Sequence, residues 1–256
     1  MISRETTVAR SLVVITGAAS GIGRATALLL AGTGWTVVAA DRDEVGLETV
    51  RGEGAGAINP FVLDVADWQA VVGFARDVVA MFGVPTALVC AAGINPPTAS
   101  TGDVDEAFWD LVVDVNLKGM FTVCRAFLPD MATQRCGSIV NLASASGLVG
   151  WGGSSVYCAT KGGAIALTRA LATEYAAVGI RVNCVCPGSI RTPMVLNNLA
   201  AFPDASERLA RTAAQHPIGR IGEAEEVAQS ICFLLSPAAS FITGVALPVD
   251  GGFTAR

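Results

Sequence analysis

The chain has 256 residues, 52% of them hydrophobic and 15% charged, with a net charge of −5. That balance supplies ample core material and no basic footprint for nucleic acid or an anionic membrane. Seven cysteines, an odd number, and a single histidine argue against a disulfide framework, a zinc site or a Ser/His/Asp hydrolase. No metal is expected.

The N-terminal region carries Arg4, Glu5 and Arg10, and its first apolar run, Leu12 to Ile15, is too short for a signal-peptide core. The longest uncharged run, Cys136 to Thr160, is long enough to cross a bilayer, but five glycines and five serines make it a poor membrane helix. The expectation is a soluble, cytoplasmic protein.

Leu12 to Thr16 (LVVIT) reads as a buried strand. Gly17, Gly21 and Gly23 follow in TGAASGIG, and then a helical stretch, Arg24 to Ala31. Strand, glycine turn and helix form the context in which backbone amides cradle a pyrophosphate. A tight βα turn without a ligand has the same pattern. The next strand, Thr36 to Ala40, ends at Asp41, 18 residues after Gly23. A dinucleotide-binding unit sets an acid near this point to hold the adenosine ribose. The carboxylate would repel a 2′-phosphate, whereas the adjacent Arg42 could attract one. The balance favours NAD, with NADP as the lesser reading.

Phe61 to Leu63 suggest a third strand, leading to Asp64 and Val65 beside the expected adenine pocket. A helix is predicted from Asp67 to Phe82, and a fourth strand from Ala87 to Ala91, closed by Gly93. Helical material then runs from about Asp105 to Met131, interrupted or ended near Pro129. It contains Asn116, a residue type usually solvated or locally bonded within a helix.

Gly137 opens a fifth strand, Ser138 to Leu142, which delivers Ser144 at its carboxyl end, where open parallel sheets place their chemistry. Ser154 or Ser155 can cap a helix running to about Ala177, with Gly179 as its C′ residue. Tyr157 and Lys161 stand four positions apart in it, about one turn, so they share a face. A tyrosine titrates near ~10, and a neighbouring ammonium favours its phenolate, bringing it into range as a proton acceptor. Ser144, 13 positions before the tyrosine, could orient a substrate. An exposed helical pair has the same spacing.

A sixth strand, Ile180 to Cys186, stops at Pro187-Gly188. Its Cys184 and Cys186 would share a face. Residues 190–222 read as irregular, with Pro193, Pro203 and Pro217, and suit a lid over the substrate. His216 in HPIGR reads as a loop residue rather than a catalytic one. A helix, Ala224 to Leu235, and a strand, Val245 to Val249, complete a single domain over residues 1–256. The expected fold is a Rossmann-type α/β domain, a doubly wound seven-stranded parallel sheet with helices on both faces.

Thr16-Gly17-x3-Gly21-x-Gly23, Asp64, Asn116, Ser144, Tyr157-x3-Lys161 and Pro187-Gly188 with Thr192 occur in this order. On those residues the chain resembles the classical short-chain dehydrogenases/reductases over essentially its whole length. The resemblance implies Tyr157 as general acid/base and Ser144 as hydrogen-bond partner of the reacting oxygen. It implies Lys161 as the group that lowers the tyrosine pKa and binds the nicotinamide ribose, and Asn116 as holder of a water in a proton relay. Cofactor contacts would come from Gly17, Ser20, Gly21, Ile22, Gly23, Asp41, Arg42, Asp64, Val65, Ala92, Gly93, Tyr157, Lys161, Pro187, Gly188, Ile190 and Thr192. The substrate pocket would be lined by Ile94, Pro96, Ser146, Trp151, Val195 and Leu196, a mostly apolar set. The family commonly has Asn-Asn-Ala-Gly after the fourth strand, where this chain has Cys90-Ala91-Ala92-Gly93. That departure questions local rigidity more than chemistry.

The implied activity is reversible hydride transfer between NAD and a secondary alcohol or ketone. An NADPH-dependent 3-oxoacyl thioester (acyl carrier protein) reductase is the alternative within the class, and a non-catalytic dinucleotide-binding sensor or scaffold is the alternative outside it. A small-molecule substrate, no nucleic acid or membrane partner and a homotetramer built on helix pairs, including Gly162 to Ala177, complete the expectations.

Overall fold

The computed structural model describes residues 11–96 and 100–255. Arg4, Glu5 and Arg10 lie outside them. Seven parallel strands form one sheet in the order β3-β2-β1-β4-β5-β6-β9. They are β1 (Leu12–Thr16), β2 (Thr36–Asp41), β3 (Ile58–Val62), β4 (Ala87–Cys90), β5 (Gly137–Leu142), β6 (Ile180–Pro187) and β9 (Ala246–Val249). Two further strands of two residues each, β7 (Ile190–Arg191) and β8 (Gly222–Glu223), pair separately and in parallel.

The central strands are apolar throughout because both faces are covered. Period-two alternation divides β1 between two cores. Leu12 and Val14 pack with Phe74, Phe127 and Ile139, whereas Val13 and Ile15 pack with Leu30, Leu47 and Ile231. The first core is covered by α3 (Trp68–Phe82), α5 (Gly119–Gln134) and α6 (Ser155–Tyr175). The second is covered by α1 (Gly21–Gly32), α2 (Glu44–Glu53) and α9 (Ala224–Leu235). Each fully buried Phe or Leu in these layers contributes about 1.5–3 kcal/mol of transfer free energy. The strand order reverses at β1 and β4, which opens a crevice at their carboxyl ends.

Most expected elements agree to within a few residues, and the differences have local causes. The first helix begins at Gly21 rather than Arg24. The third strand is shifted back to Ile58–Val62 with Pro60 inside it, tolerated because β3 is an edge strand. Helix α2 had no counterpart in the sequence reading; of its ten residues only Leu47 and Val50 are buried. Pro129 neither ends nor interrupts α5, which continues to Gln134. The break in that helical stretch comes earlier, as a π turn at Asp114–Lys118 between α4 (Glu106–Val113) and α5.

The segment 190–222 is not irregular. It holds α7 (Pro193–Ala200) and α8 (Ala205–Ala214), and pairing of β7 with β8 joins its two ends. Pro193 occupies the first turn of α7, where a missing N–H costs nothing; Pro203 lies between the helices and Pro217 beyond them. The prolines punctuate helices there rather than prevent them. Among the described residues, no helix is long and apolar enough to cross a membrane.

Candidate functional site

A cavity of about 960 Å³ runs along the carboxyl ends of the strands. Every residue expected to touch the cofactor lines it, from Gly17 to Thr192. Ile94, Pro96, Ser144, Ser146, Trp151 and Val195 line it too.

The dinucleotide end is built from backbone. Gly17 has φ +71°, and a Cβ there would come within 2.6 Å of the Ala92 nitrogen. At Gly23 a Cβ would lie 2.0 Å from the Gly17 carbonyl oxygen, so only glycine lets the helix start this close to the turn. Ser20 holds the N-cap position of α1 without a side-chain capping bond. The first-turn N–H groups, which a helix leaves unsatisfied, therefore face the cavity without a capping side chain. Asp41 accepts from the Ala19 and Asp43 backbone N–H groups, each at 3.1 Å, which fixes its carboxylate at the end of β2. This glycine cradle, uncapped helix start and fixed carboxylate fit a nicotinamide adenine dinucleotide.

The loop after β4 is held without the family's asparagine pair. Cys90 Sγ lies 3.8 Å from Cys124 Sγ, and Cys124 donates to Asn141 Oδ1 at 3.7 Å. Ala91 N–H donates to the Thr16 carbonyl at 3.1 Å, while Asn116 takes over the next residues. The Asn116 Oδ1 accepts from Ile94 N–H and its Nδ2 donates to the Ile94 carbonyl, both at 2.8 Å. Asn116 is fully buried and does not line the cavity. Its amide clamps the loop, so any part in a proton relay would not come from a free side chain.

Ser144 leaves β5 in an extended conformation and is 8% exposed; its Oγ accepts from Ser146 N–H at 3.1 Å. Tyr157 and Lys161 project from the first turns of α6, with the lysine Nζ 5.6 Å from the tyrosine ring centroid. Lys161 is 3% exposed and donates from Nζ to the Leu142 carbonyl at 2.8 Å. Burial pulls its pKa down to about 8. Burial also pushes Tyr157 up to about 12, against a lowering by its hydrogen bond with Ser144. In the protein alone burial dominates the tyrosine, and its lowering comes from Ser144 rather than from the lysine that the sequence reading expected to supply it.

Leu196 is the expected pocket residue that the fold turns away. Val195, Asn198, Leu199 and Phe202 line the cavity at helical spacing, and Leu196, rotated by about 100° from Val195, is exposed. His216, read from the sequence as a loop residue, does lie past the end of α8, but it is buried and lines the cavity. Its Nδ1–H donates to the Thr212 carbonyl at 2.9 Å, and its Nε2 accepts from Ser189 N–H at 3.1 Å. The ring thus braces the turn at Pro187-Gly188 and stacks at 5.5 Å on Phe253, itself 5.6 Å from Trp151. Arg208, Arg211, Thr212 and Gln215 reach the cavity from α8. Reading α7 and α8 for helical periodicity would have found the residues on those helices. Nothing in the sequence pointed to Phe253.

Residues 17–254 match the family model described as enoyl-(acyl carrier protein) reductase. A cis-4-hydroxycyclohexanecarboxylate dehydrogenase of Sinomonas cyclohexanicum is 43% identical, with 96% of this chain and 98% of that protein covered. A 3-oxoacyl-[acyl-carrier-protein] reductase of Thermotoga maritima is 42% identical, covering 93% of this chain and 96% of that protein. Among solved structures, ElxO with NADP bound superposes with a TM-score of 0.89 at 29% identity, over 96% of this chain and 100% of that one.

Proposed function

The chain belongs to the short-chain dehydrogenase/reductase family of nicotinamide-nucleotide oxidoreductases acting on CH–OH groups, and on that premise we propose reversible hydride transfer between NAD and a secondary alcohol or its ketone. The observation that carries this reading is the convergence of Ser144, Tyr157 and Lys161 on the cavity wall that the glycine turn opens. Gly17 to Gly23 would hold the pyrophosphate, Asp41 the adenosine ribose, and the turn at Pro187-Gly188 with Thr192 the carboxamide end. The nicotinamide, when bound, supplies the hydride acceptor or donor.

In oxidation, Tyr157 Oη takes the carbinol proton while the Ser144 hydroxyl holds the same oxygen. In reduction, both hydroxyls donate toward the carbonyl oxygen, and Tyr157 delivers the proton. Lys161 stays within reach of the tyrosine ring and favours the phenolate once charge develops there. Helices α7 and α8 serve as the lid that excludes water from the reacting carbon. The assembly is a homotetramer, in keeping with partly exposed apolar side chains on α4 and α5, Trp109 and Phe121 among them.

A second reading, an NADPH-dependent 3-oxoacyl thioester reductase, draws on Arg42. It lines the cavity beside Asp41 and, among the described residues, makes no ion pair. The ElxO complex with NADP lends this reading some weight. Asp41 weighs against it, because its anchored carboxylate stands where a 2′-phosphate would need a cation. A panel of secondary alcohols with NAD and with NADP separates the two, following absorbance of the reduced cofactor. Tyr157→Phe should lower kcat about 10³-fold or more while NADH binding survives. Turnover retained in that variant would overturn the assignment of the proton donor.

A further inference from the structure

The lid helix α8 turns an unusual face inward. Arg208, Arg211, Thr212 and Gln215 line the cavity at spacings of three, one and three residues, the signature of one helical stripe. A helix packed on an apolar core would present Leu or Val at those positions, as α7 does with Val195 and Leu199, followed by Phe202 just beyond its end. The two arginines have acidic neighbours, but these lie off the cavity. Asp204 accepts from Arg208 Nε at 2.7 Å and from Arg211 Nη2 at 2.8 Å, so one carboxylate serves two guanidiniums. Glu207 is 3.5 Å from Arg211 Nη1 with its side chain 69% exposed, a weak and screened contact. Neither acid lines the cavity.

Arg208 is also held in shape. Its guanidinium lies 3.7 Å over the Phe202 ring, and among the described residues its two terminal nitrogens make no hydrogen bond. A stacked guanidinium with a free fork is suited to a planar or tetrahedral anion. No carboxylate lines this part of the cavity; Asp41, Asp43 and Asp64 are at the dinucleotide end.

Resting on the alcohol/ketone reading above, we infer that the substrate carries an anionic group, a carboxylate or a phosphate, which Arg208 and Arg211 hold at the α8 side while Ser144 and Tyr157 handle its carbinol or carbonyl. The apolar stripe of α7 would cover the hydrocarbon between the two ends.

The test uses matched pairs that differ only in charge. One pair is a hydroxycycloalkane carboxylate and its carboxamide; the other is a 3-oxoacyl thioester of 4′-phosphopantetheine and of pantetheine. The wild type should favour the charged member of at least one pair by about 10- to 100-fold in kcat/KM. Which pair responds tells carboxylate from phosphate. Arg208→Gln combined with Arg211→Gln should bring that ratio towards one, whereas Arg208→Lys with Arg211→Lys should keep most of it. NADH affinity and Tm report whether each variant is folded. A wild-type ratio near one with the neutral members turned over refutes the inference, as does a preference that survives the glutamine pair. If no member of either pair reacts and simple alcohols fail as well, the dehydrogenase reading falls and takes the inference with it.

Discussion

Between β1 and α1 the cavity wall is backbone, set by glycines whose neighbours leave no room for a Cβ. Across α7 and α8 the wall is side chains on two short helices. Helix α1 buries five residues, Gly23, Ala25, Thr26, Ala27 and Leu30, whereas no residue of α7 or α8 is fully buried. A segment with so little buried surface sits at the low end of local stability and can open without unfolding the sheet. One end of the cavity is therefore built to hold a constant ligand in one geometry. The other can move and is free to differ in chemistry, which is where substrate choice would be expected to reside.

Gly23→Ala should have the largest effect. Its Cβ would sit 2.0 Å from the Gly17 oxygen, so either the turn or the helix start must move. The expected outcome is loss of measurable NADH binding and a fall in Tm, from a cost of about 1–3 kcal/mol or more. An NADH titration by fluorescence matching wild type would break the contrast between the two ends.

The next effect concerns the Tyr157–Lys161 pair, which belongs to the rigid part. With Lys161 near 8 and Tyr157 near 12, the first proton leaves the pair around pH 8. It is best regarded as a titration of the pair, because the phenolate with an ammonium and the phenol with an amine hold the same number of protons. Oxidation needs that proton gone, so its kcat/KM should rise with pH and level off above about 8; reduction should fall over the same range. Lys161→Met leaves the tyrosine alone, and the oxidation limb should move up towards 12, with activity at pH 7 about 10²-fold lower or less than that. An unmoved limb would mean that the lysine has no part in the titration.

Smaller effects belong to α7. Asn198 Nδ2 donates to the Asn95 carbonyl at 2.8 Å, tying α7 to the loop after β4. Asn198→Ala removes about 1 kcal/mol of latch, so KM should rise about fivefold with Tm unchanged. Leu196→Ala, one position from the lining residue Val195, should stay within about twofold in KM and about 0.5 kcal/mol in stability. If Leu196 mattered as much as Val195 in steady-state assays, α7 would have to turn in the working enzyme.

Much of this molecule was legible because its central strands are covered on both faces. Runs such as LVVIT and ALVC leave little choice but a buried strand, and glycine, acid and Tyr-x3-Lys spacings are one-dimensional quantities. Surface and edge elements were harder. Helix α2 has few apolar residues because it shields only a small part of the sheet, and Pro60 masked the first residues of β3 because edge strands obey looser rules.

The sequence by itself determined the central strands, the glycine turn between β1 and α1, and the one-turn spacing that sets Tyr157 and Lys161 on one helix face. Each follows from short-range patterns that bind neighbours in the chain. Tertiary structure alone decided what meets across the cavity. It brought Phe253 against Trp151 and His216, turned Leu196 out, and aimed Arg208 and Arg211 inward. It also reversed the expected electrostatics, since enclosure by the surrounding chain raises Tyr157 and lowers Lys161. Desolvation depends on everything packed around a group, and no spacing along the chain records it.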